Sequence, residues 1–396
     1  MNSRLLDTDV VDFLVQNEQK SVTDLILKGS PFKDVTPQEL AQQLVGRQKS
    51  KKKLPTWYAS AEVIYPPNLH IEQTSSEFTA AYKSQLVSGN LLVDSTGGFG
   101  VDSVYFAKQI KQVIHCDLNK NLQEIAHHNF RVLGCKNINS HNANGIQTAL
   151  QTSSLDWLYI DPSRRNDTKG KVFFLKDCLP NVPSIQEECL EKVRNILIKT
   201  APILDISVGM AELKNVKEIH IVGVKNEVKE LLWVLEKGYN AEPKIIAANI
   251  TAQQTECIQL QLNTEKKACC TLNDVSNYLY EPFASVMKTG AFNWLSEHYQ
   301  VNKLHVNSHL YTSENKSYFP GKVFKVQQVL TYNKKELKQF IGEKVNVVTR
   351  NFKLSVAQLR KKYKLKEGEE RFLFFTTNLH NQQIVIDCKK VTLNVV

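Results

Sequence analysis

The sequence of 396 residues lacks the features that place a protein in a membrane or a secretory pathway. No apolar run approaches the length of about 18 residues that a membrane-spanning helix requires. Residues 1–17, MNSRLLDTDVVDFLVQN, carry acids within their apolar stretch and show no signal-peptide cleavage pattern. We therefore expect no membrane association and a cytoplasmic location.

The cysteines also lack a recognisable pattern. Eight are scattered along the chain, and none forms a CxxC pair of the kind found in zinc sites and redox motifs. Cys269 and Cys270 are adjacent, and we interpret them as two small apolar residues of a reduced protein. The sequence thus predicts neither a metal site nor a disulfide framework.

Excess positive charge is missing from most of the chain. Residues 1–320 hold 34 basic and 34 acidic side chains, whereas residues 321–396 hold 16 Lys and Arg against 6 Asp and Glu. The formal net charge of +10 therefore lies entirely in the last fifth of the sequence. A concentrated basic surface favours a polyanionic partner such as RNA, although a generic lysine-rich surface is the alternative.

The pattern of apolar residues divides the chain into regions. Residues 1–48 read as helical, with a helix start at Thr36 and Pro37, and a charged hinge, KSKKK, follows at 49–53. From about residue 90 to 262, short apolar segments alternate with segments of helical spacing, which predicts an α/β fold with a parallel sheet between helices. The predicted strands are LLVD (91–94), QVIHCD (112–117), NINS (137–140), LDWLYID (155–161), NILIK (195–199) and EIHIVGV (218–224).

The later segments follow a different pattern. KIIAANI and TECIQLQL predict an antiparallel hairpin that closes the sheet, whereas the charges of KNEVKELL (225–232) fit the surface of a helix. After about residue 270 the alternation stops, and the tail predicts a small α+β module that carries the positive charge.

A glycine-rich loop, DSTGGFGVD (94–102), follows the first predicted strand and precedes a helix. It lacks the GxGxxG spacing of nicotinamide sites and the lysine of nucleoside triphosphate sites. An acid at Asp94 repels phosphate and attracts a cation such as the amino group of S-adenosylmethionine, while the glycines let the backbone approach the cofactor. A nicotinamide-dependent oxidoreductase is therefore the weaker interpretation.

Polar residues end the next three strands as well. Asp117, which ends the second strand, is placed to accept hydrogen bonds from both ribose hydroxyls of a nucleoside. The third strand ends near HNAN (141–144), where a polar side chain can meet the adenine edge, and the fourth ends in Asp161 and Pro162. Each of these residues on its own is explained by satisfying backbone groups at a strand end, but four such ends in order favour a cofactor site.

This arrangement resembles the class I S-adenosylmethionine-dependent methyltransferases. The segments IEQTSSEFTAAYK (71–83), DSTGGFGVDS (94–103), YIDPSRR (159–165), LIKTAPILDIS (197–207) and KNEVKELL are more closely similar to a bacterial family of methyltransferases whose C-terminal domain is described as similar to the RNA-binding THUMP module. The resemblance covers roughly residues 60–396. One departure is that family sequences end the second strand in Glu, whereas this sequence has Asp117 followed by Leu118.

The resemblance implies a Rossmann-like methyltransferase sheet with a helical N-terminal region and a small basic α+β C-terminal module. The implied domains are a helical region (1–60), the methyltransferase domain (61–265), an α-rich or ferredoxin-like linking part (266–320) and a basic THUMP-like domain (321–396). The residues expected to bind S-adenosylmethionine are Asp94, Thr96, Gly97, Gly98, Gly100, Asp102, Asp117, Asn142, Ala143 and Asp161.

The expected catalytic residues are Asp161, Pro162, Ser163 and Lys199. In methyltransferases that modify exocyclic amines, an acid or amide followed by Pro-Pro and an aromatic residue holds the target nitrogen, and here Ser163, Arg164 and Arg165 replace the second half of that motif. An arginine pair suits phosphate or a stacked base, although pairing with a carboxylate is the alternative.

Several further assignments stay open on the sequence alone. Lys199 either orients substrate or pairs with Asp161, and a covalent mechanism through Cys178 is disfavoured. Glu77, Thr79 and Lys83 are candidates for a lid over the cofactor, with helix capping as the alternative for the neighbouring serines, and Glu227 is a candidate for the lining of the cleft. The residues expected to bind substrate are Arg164, Arg165, Glu77, Lys83 and Glu227.

These assignments predict a methyltransferase of RNA, with the C-terminal module presenting the substrate. The alternatives are methylation of a small phosphorylated molecule or of a protein, and a non-catalytic RNA-binding protein on the same fold.

Overall fold

The computed structural model of the protein describes residues 2–164, 174–368 and 370–391. The chain folds as two compact units. The first comprises residues 1–219 and 229–241, and the second comprises residues 220–228 and 242–396. Among the helices in the described ranges, none combines the length and the apolar character needed to cross a bilayer.

The first unit begins with a set of helices that precede the sheet. A capping box at Thr36 starts the third of them: the Thr36 side chain accepts from the backbone of Glu39, and the Glu39 carboxylate reaches back to the Thr36 backbone, as the sequence predicts. The helices are α1 (Thr8–Gln16), α2 (Val22–Lys28), α3 (Pro37–Lys53), α4 (Pro55–Ala59), α5 (Asn68–Gln73) and α6 (Glu77–Ser84).

The charged hinge predicted at residues 49–53 is instead the last turn of α3. Unbranched lysines are good helix formers, and their charge is favourable near the negative end of the helix dipole. The charge run therefore extends the helix rather than interrupting it.

The strands and helices of the following stretch alternate as predicted as far as residue 224, except for two short strands after Asp161. They are β1 (Gly89–Asp94), α7 (Val101–Phe106), β2 (Ile110–Cys116), α8 (Lys120–Val132), β3 (Ile138–His141), α9 (Gly145–Gln151), β4 (Leu155–Ile160), the short β5 (Ser163–Arg164) and β6 (Cys178–Leu179), α10 (Val182–Lys192), β7 (Val193–Thr200), α11 (Ile206–Glu212), β8 (Val216–Val224) and β9 (Glu227–Glu236).

The sheet of the first unit has the strand order β9-β7-β4-β1-β2-β3. The strands from β7 to β3 pair in parallel, and β9 runs antiparallel to β7. The chain order reverses between β1 and β4, and ligands of open α/β sheets bind where such a reversal leaves a crevice at the carboxyl ends of the strands.

Strand β9 replaces the helix that the charges of KNEVKELL suggest. Its exposed and half-buried positions give way to buried residues from Glu230 to Leu235, and it pairs with β7 from Asn195 to Thr200. The apolar run LLWVL is what a strand with both faces covered requires, and this requirement outweighs the charged residues before it.

The second unit contains the predicted hairpin and a second sheet. β10 (Lys244–Ile250) and β11 (Thr255–Gln261) pair antiparallel, as the sequence predicts. The elements that follow are β12 (Tyr278–Pro282), α12 (Ala284–Lys288), α13 (Phe292–His298), β13 (Asn302–Lys303), β14 (Tyr311–Ser313), β15 (Gly321–Thr331), α14 (Lys334–Leu337), β16 (Asn346–Thr349), α15 (Val356–Tyr363), β17 (Arg371–Thr377) and β18 (Gln383–Val391).

The second sheet has the order β13-β14-β12-β15-β18-β17-β16. Each of its faces is covered by a separate apolar core. On one face, α14 and α15 bring Leu337, Leu359 and Tyr363 against Leu373 and Val385 of the strands. The other core gathers Leu279, Leu304, Leu310, Phe324, Phe374, Ile384, Ile386 and Cys388. The C-terminal region is thus the α+β module that the sequence predicts.

Candidate active site

A cavity of about 1330 Å³ opens in the first unit at the carboxyl ends of the central strands. Asp94 at the end of β1, Asp117 after β2, Asp161 after β4 and Lys199 near the end of β7 all line it. Residues about 20 to 40 positions apart in sequence therefore meet in one place, because parallel strands direct their carboxyl ends to the same edge of the sheet.

The glycine loop surrounds a buried carboxyl group. The Asp94 side chain is 1% exposed, accepts a hydrogen bond of 2.6 Å from the Ser103 hydroxyl, and lies 3.3 Å from the donating backbone nitrogen of Thr96. Burial disfavours the charged carboxylate and raises its pKa to about 7. At neutral pH, the charge of Asp94 therefore depends on whether a cation lies next to it.

The three glycines of the loop serve different purposes. A Cβ at Gly97 would lie 2.2 Å from the His115 ring, and a Cβ at Gly100, whose φ is +81°, would lie 2.4 Å from the Phe130 ring. Gly98 has a φ of +56°, and its nearest contact would be a single carbonyl oxygen at 3.9 Å. Gly97 and Gly100 thus allow close packing beneath the loop, while Gly98 presents bare backbone to the cavity.

Two backbone nitrogen atoms hold the Asp117 carboxylate in place. Its carboxylate accepts from the Gly98 nitrogen at 2.9 Å and from the Asn119 nitrogen at 2.7 Å. The next residue, Leu118, is 75% exposed and lines the cavity together with Ile146. An acid beside two apolar side chains is suited to a ribose joined to a flat, apolar base.

The loop after β3 reaches the cavity two residues later than the sequence suggests. Asn144, Gly145 and Ile146 line the cavity, whereas Asn142 and Ala143 are not among the lining residues. The Asn142 amide donates to the carbonyl oxygens of Asp117 and Leu118, so it shapes the rim. Because β3 ends at His141, the chain needs these two residues to turn before α9 begins.

Asp161 and Lys199 form an ion pair at the cavity wall. The Asp161 nitrogen donates to the Thr96 hydroxyl at 2.7 Å, and the Lys199 ammonium donates to Asp161 Oδ2. Burial disfavours the charge of Lys199, but Asp161, Asp102 and Glu230 outweigh it and raise the pKa of Lys199. Asp161 Oδ1 receives no hydrogen bond from any residue that the structure describes, and the side chain is 33% exposed.

The two residues directly after Asp161, Pro162 and Ser163, line the cavity. Pro162 is buried, and Ser163 is exposed in the short β5, where it pairs with Leu179 of β6. The backbone of Arg164 pairs with Cys178, and Arg165 lies outside the described residues. Cys178 is buried and donates through Sγ to the Phe174 carbonyl, which disfavours a role as the nucleophile.

A buried charge network forms part of the cavity wall, which its members Ser75, Asp102 and Tyr159 line. The Lys83 ammonium contacts both carboxylate oxygens of Glu230 at 2.7 and 2.9 Å, and it lies 3.3 Å from Asp102 Oδ1. Asp102 Oδ2 accepts from the Tyr159 hydroxyl at 2.9 Å and from the Ser75 hydroxyl at 2.9 Å. The network joins α6, α7, β4 and β9 around the site.

Three residues expected to bind substrate are placed differently from that expectation. Lys83 has no exposed side-chain surface, so it supports the site from within. Glu77 accepts from the Thr56 nitrogen, the Thr56 hydroxyl and the Tyr105 hydroxyl at 2.6 to 2.8 Å, which fixes α6 to its neighbouring helices. Glu227 is exposed at the first position of β9 and is not among the residues that line the cavity.

Sequence reasoning missed Glu230, because the charges of KNEVKELL suggested a helix surface. The signal that could have identified it is the apolar run LLWVL directly after it, which marks the beginning of a buried strand. No cluster of three or more metal-ligating side chains occurs in the described ranges.

Two family models match the C-terminal part of the chain. Residues 321–390 match the model described as THUMP domain-like, and residues 278–320 match a ferredoxin-like domain. The fold is that of a Rossmann-like class I methyltransferase with a THUMP-like domain at its C-terminal end. The resemblance that the motifs indicate, to bacterial methyltransferases with a THUMP-like C-terminal domain, is thus confirmed.

The chain is similar over its whole length to the crystal structure of a "putative methyltransferase" from Porphyromonas gingivalis W83. The identity is 27%, 99% of each chain is covered, and the TM-score is 0.88. Partial similarity extends to M. capricolum TrmK in complex with S-adenosyl-homocysteine, with 14% identity, 41% and 68% coverage and a TM-score of 0.32. It also extends to the M. jannaschii tRNA m1G37 methyltransferase, with 14% identity, 42% and 51% coverage and a TM-score of 0.30. No curated protein matches the sequence.

Proposed function

We propose that the protein is an S-adenosylmethionine-dependent methyltransferase that modifies a nitrogen atom of a nucleotide in tRNA or rRNA. The observation that carries this proposal is the single cavity in which Asp94, Asp117 and Asp161 meet around the glycine loop. The cavity combines a buried acid, exposed loop backbone and an apolar flank with a second acid, Asp161, whose Oδ1 receives no hydrogen bond from the described residues. These parts suit a cationic nucleoside cofactor and an amine substrate.

The cofactor fits the side of the cavity formed by β1 and β2. Asp94 would take the amino group of the methionine part, and the bare backbone at Gly98 leaves room for a closely packed ligand. Each oxygen of Asp117 accepts one backbone hydrogen bond and has a second lone pair for a ribose hydroxyl. Leu118 and Ile146 would flank the adenine. When bound, S-adenosylmethionine supplies an electrophilic methyl group on a positively charged sulfur.

Asp161 is the residue that we assign to the target nitrogen. Its Oδ1 would accept a hydrogen bond from the amine, an interaction that strengthens as the nitrogen becomes cationic. Lys199 would hold the Oδ2 atom of Asp161 in place through its hydrogen bond. The backbone of Pro162 and the exposed hydroxyl of Ser163 would orient the amine from the neighbouring positions.

The RNA substrate is supported by the location of the charge. The THUMP-like part carries the entire positive excess of the chain, and such a concentration raises the local density of a polyanion. Arg164 and Arg165, which follow the cavity-lining Ser163 in the sequence, would hold a phosphate or stack on a base.

Two measurements test the proposal. Titration calorimetry above about pH 7 should show binding of S-adenosylmethionine in preference to NAD, because Asp94 in its ionised form attracts a cation and repels pyrophosphate. Mass spectrometry of nucleosides from total RNA of a deletion strain should then show the loss of one methylated nucleoside, and the purified protein should restore that methylation in vitro. Tight NAD binding without a response to S-adenosylmethionine would exclude a methyltransferase. A complete set of methylated nucleosides in the deletion strain would exclude an RNA substrate.

A further inference from the structure

Four side chains lie in one row across the second sheet. Register pairs Tyr278 of β12 with Lys325 of β15, Lys325 with Lys389 of β18, and Lys389 with Arg371 of β17. Residues that are directly opposite on neighbouring strands point to the same face of a sheet. With a strand spacing of about 4.8 Å, this row, Tyr278–Lys325–Lys389–Arg371, extends for about 14 Å across the strands.

The row places like charges directly opposite each other. Lys325 and Lys389 form one cross-strand pair, and Lys389 and Arg371 form the next. Like charges in such positions destabilise a sheet, because their side chains are only about 5 Å apart at the Cβ atoms. A partner of opposite charge would turn this unfavourable arrangement into a favourable one.

The charges of the row are only partly compensated within the protein. Arg371 makes two hydrogen bonds to the buried carboxylate of Asp387, at 2.9 and 2.7 Å, and its side chain is still 37% exposed. In the described parts of the chain, Lys325 and Lys389 form no ion pair with a carboxylate. Two positive charges therefore remain available to an anionic ligand.

The row lies where the helical cover of the sheet ends. Along this face of β18, Val385 is buried in the core with α14 and α15, Asp387 is buried against Arg371, and Lys389 is exposed. Burial thus decreases along β18, and Lys389 is the first residue on this face of the strand that is exposed to solvent.

An aromatic ring completes the row at one end. The Lys325 ammonium lies 4.3 Å from the centre of the half-buried Tyr278 ring. Aromatic rings next to basic side chains are typical of surfaces that bind single-stranded nucleic acid, in which bases stack while cations contact the backbone. An acidic protein surface would match the charges but would leave the ring without a comparable function.

We propose that the row Tyr278–Lys325–Lys389–Arg371 binds the sugar-phosphate backbone of a single-stranded RNA segment that crosses the strands of the C-terminal sheet. The proposal rests on the proposed function, and it specifies the surface through which the C-terminal module holds its RNA. Lys325 and Lys389 contact phosphates, Arg371 adds a third contact from its exposed side, and Tyr278 stacks on a base.

The test compares two double variants of the full-length protein that remove the same charge. Lys325→Gln/Lys389→Gln changes the row, and Lys334→Gln/Lys335→Gln changes two exposed lysines of α14 on the same module. Binding of a fluorescently labelled oligouridylate is measured by anisotropy over a series of salt concentrations. Thermal unfolding shows whether each variant is folded, and an RNA duplex of the same length tests the preference for single strands.

We expect the row variant to bind about 25-fold more weakly at 0.1 M salt, with a salt slope lower by about 1.4, because each lost phosphate contact in a single strand removes about 0.7 from the slope. The control variant should retain most of the affinity and slope of the unchanged protein. Equal losses in both variants, or equal binding of the duplex, would overturn the inference while leaving RNA binding intact. Failure of the unchanged protein to bind RNA would overturn the RNA substrate itself, and salt-insensitive binding would exclude the phosphate contacts.

Discussion

Asp94 shows how one residue combines a structural and a functional requirement. Its carboxyl group is buried at the end of β1, where the Ser103 hydroxyl is its closest hydrogen-bond partner. Burial raises its pKa to about 7, so the free protein holds a proton there below about pH 7. A cationic amino group beside Asp94 would favour the ionised form. Cofactor binding should therefore release this proton.

The first prediction follows from that proton. Below about pH 7, the affinity for S-adenosylmethionine should fall by roughly tenfold for each pH unit, because the proton must leave before the amino group can pair with the carboxylate. The cofactor amino group itself stays protonated in that range. Calorimetric titrations at several pH values measure the slope. Asp94→Asn should bind more weakly and without this pH dependence, and an unchanged affinity of the native protein at low pH would exclude the contact.

Asp161 carries the second prediction at the residue scale. Asp161→Ala should lower kcat by roughly a hundredfold or more, the magnitude for losing one preorganised electrostatic partner in the transition state. Cofactor affinity should change little, since Asp94 and Asp117 remain.

Steady-state kinetics on the RNA identified in the deletion strain measure both parameters. The double variant Arg164→Ala/Arg165→Ala should instead raise KM, because phosphate contacts act alike in ground and transition states. A loss of kcat at unchanged KM in the arginine variant would show that the arginines, and not Asp161 alone, act in the chemical step.

At the scale of elements, the site depends on how α6 and β9 meet. Lys83 of α6 and Glu230 of β9 form a fully buried ion pair, and Asp102 at the start of α7 lies beside it. Burial raises the pKa of Glu230, although Lys83 and Lys199 oppose this shift. The pair therefore fixes two elements to the helix that follows the glycine loop, and the cavity wall depends on it.

The third prediction compares two ion pairs that involve β9. Glu230→Gln should lower the free energy of unfolding by about 3 to 5 kcal/mol, since it leaves the Lys83 charge buried without its main partner. Glu236→Gln should cost less than about 1 kcal/mol, because the Lys217–Glu236 pair is 39% and 28% exposed. Urea denaturation measures both. Similar losses in the two variants would show that the buried ion pair contributes no more to the free energy of unfolding than the exposed pair.

At the scale of the whole molecule, the two proposed binding surfaces lie in different compact units. The cofactor cavity belongs to the first unit, and the row Tyr278–Lys325–Lys389–Arg371 belongs to the second. The fourth prediction is that the two surfaces bind their ligands independently. Lys325→Gln/Lys389→Gln should bind S-adenosylmethionine with unchanged affinity, and Asp94→Asn should bind RNA with unchanged affinity and salt slope. Calorimetry and anisotropy on each variant measure this, and a change of more than about threefold in either cross-measurement would show coupling.

Local patterns were sufficient to predict the elements and the class of the fold. The alternation of apolar strands with helical segments depends on periodicities that each segment carries by itself, and the parallel sheet, the β10–β11 hairpin and the C-terminal α+β module follow from them. The acids at the ends of β1, β2 and β4 could be located for the same reason, because the topology of a parallel sheet brings strand ends together without further information. Local pattern failed at KNEVKELL, where the charges before the apolar run pointed to a helix.

Only the tertiary structure determined what the side chains of the site contact. Lys83 looks like a surface lysine in sequence, and it is buried because Glu230, which lies 147 residues away, provides its counter-charge. Asn142 and Asn144 differ by two positions, and the turn between β3 and α9 decides which of them faces the cavity. The like-charged row of the second sheet also depends on pairing register between distant strands. The sequence by itself determines the elements and their order because those depend on neighbouring residues, whereas burial, ion pairing and cross-strand charge depend on contacts that form only when the chain has folded.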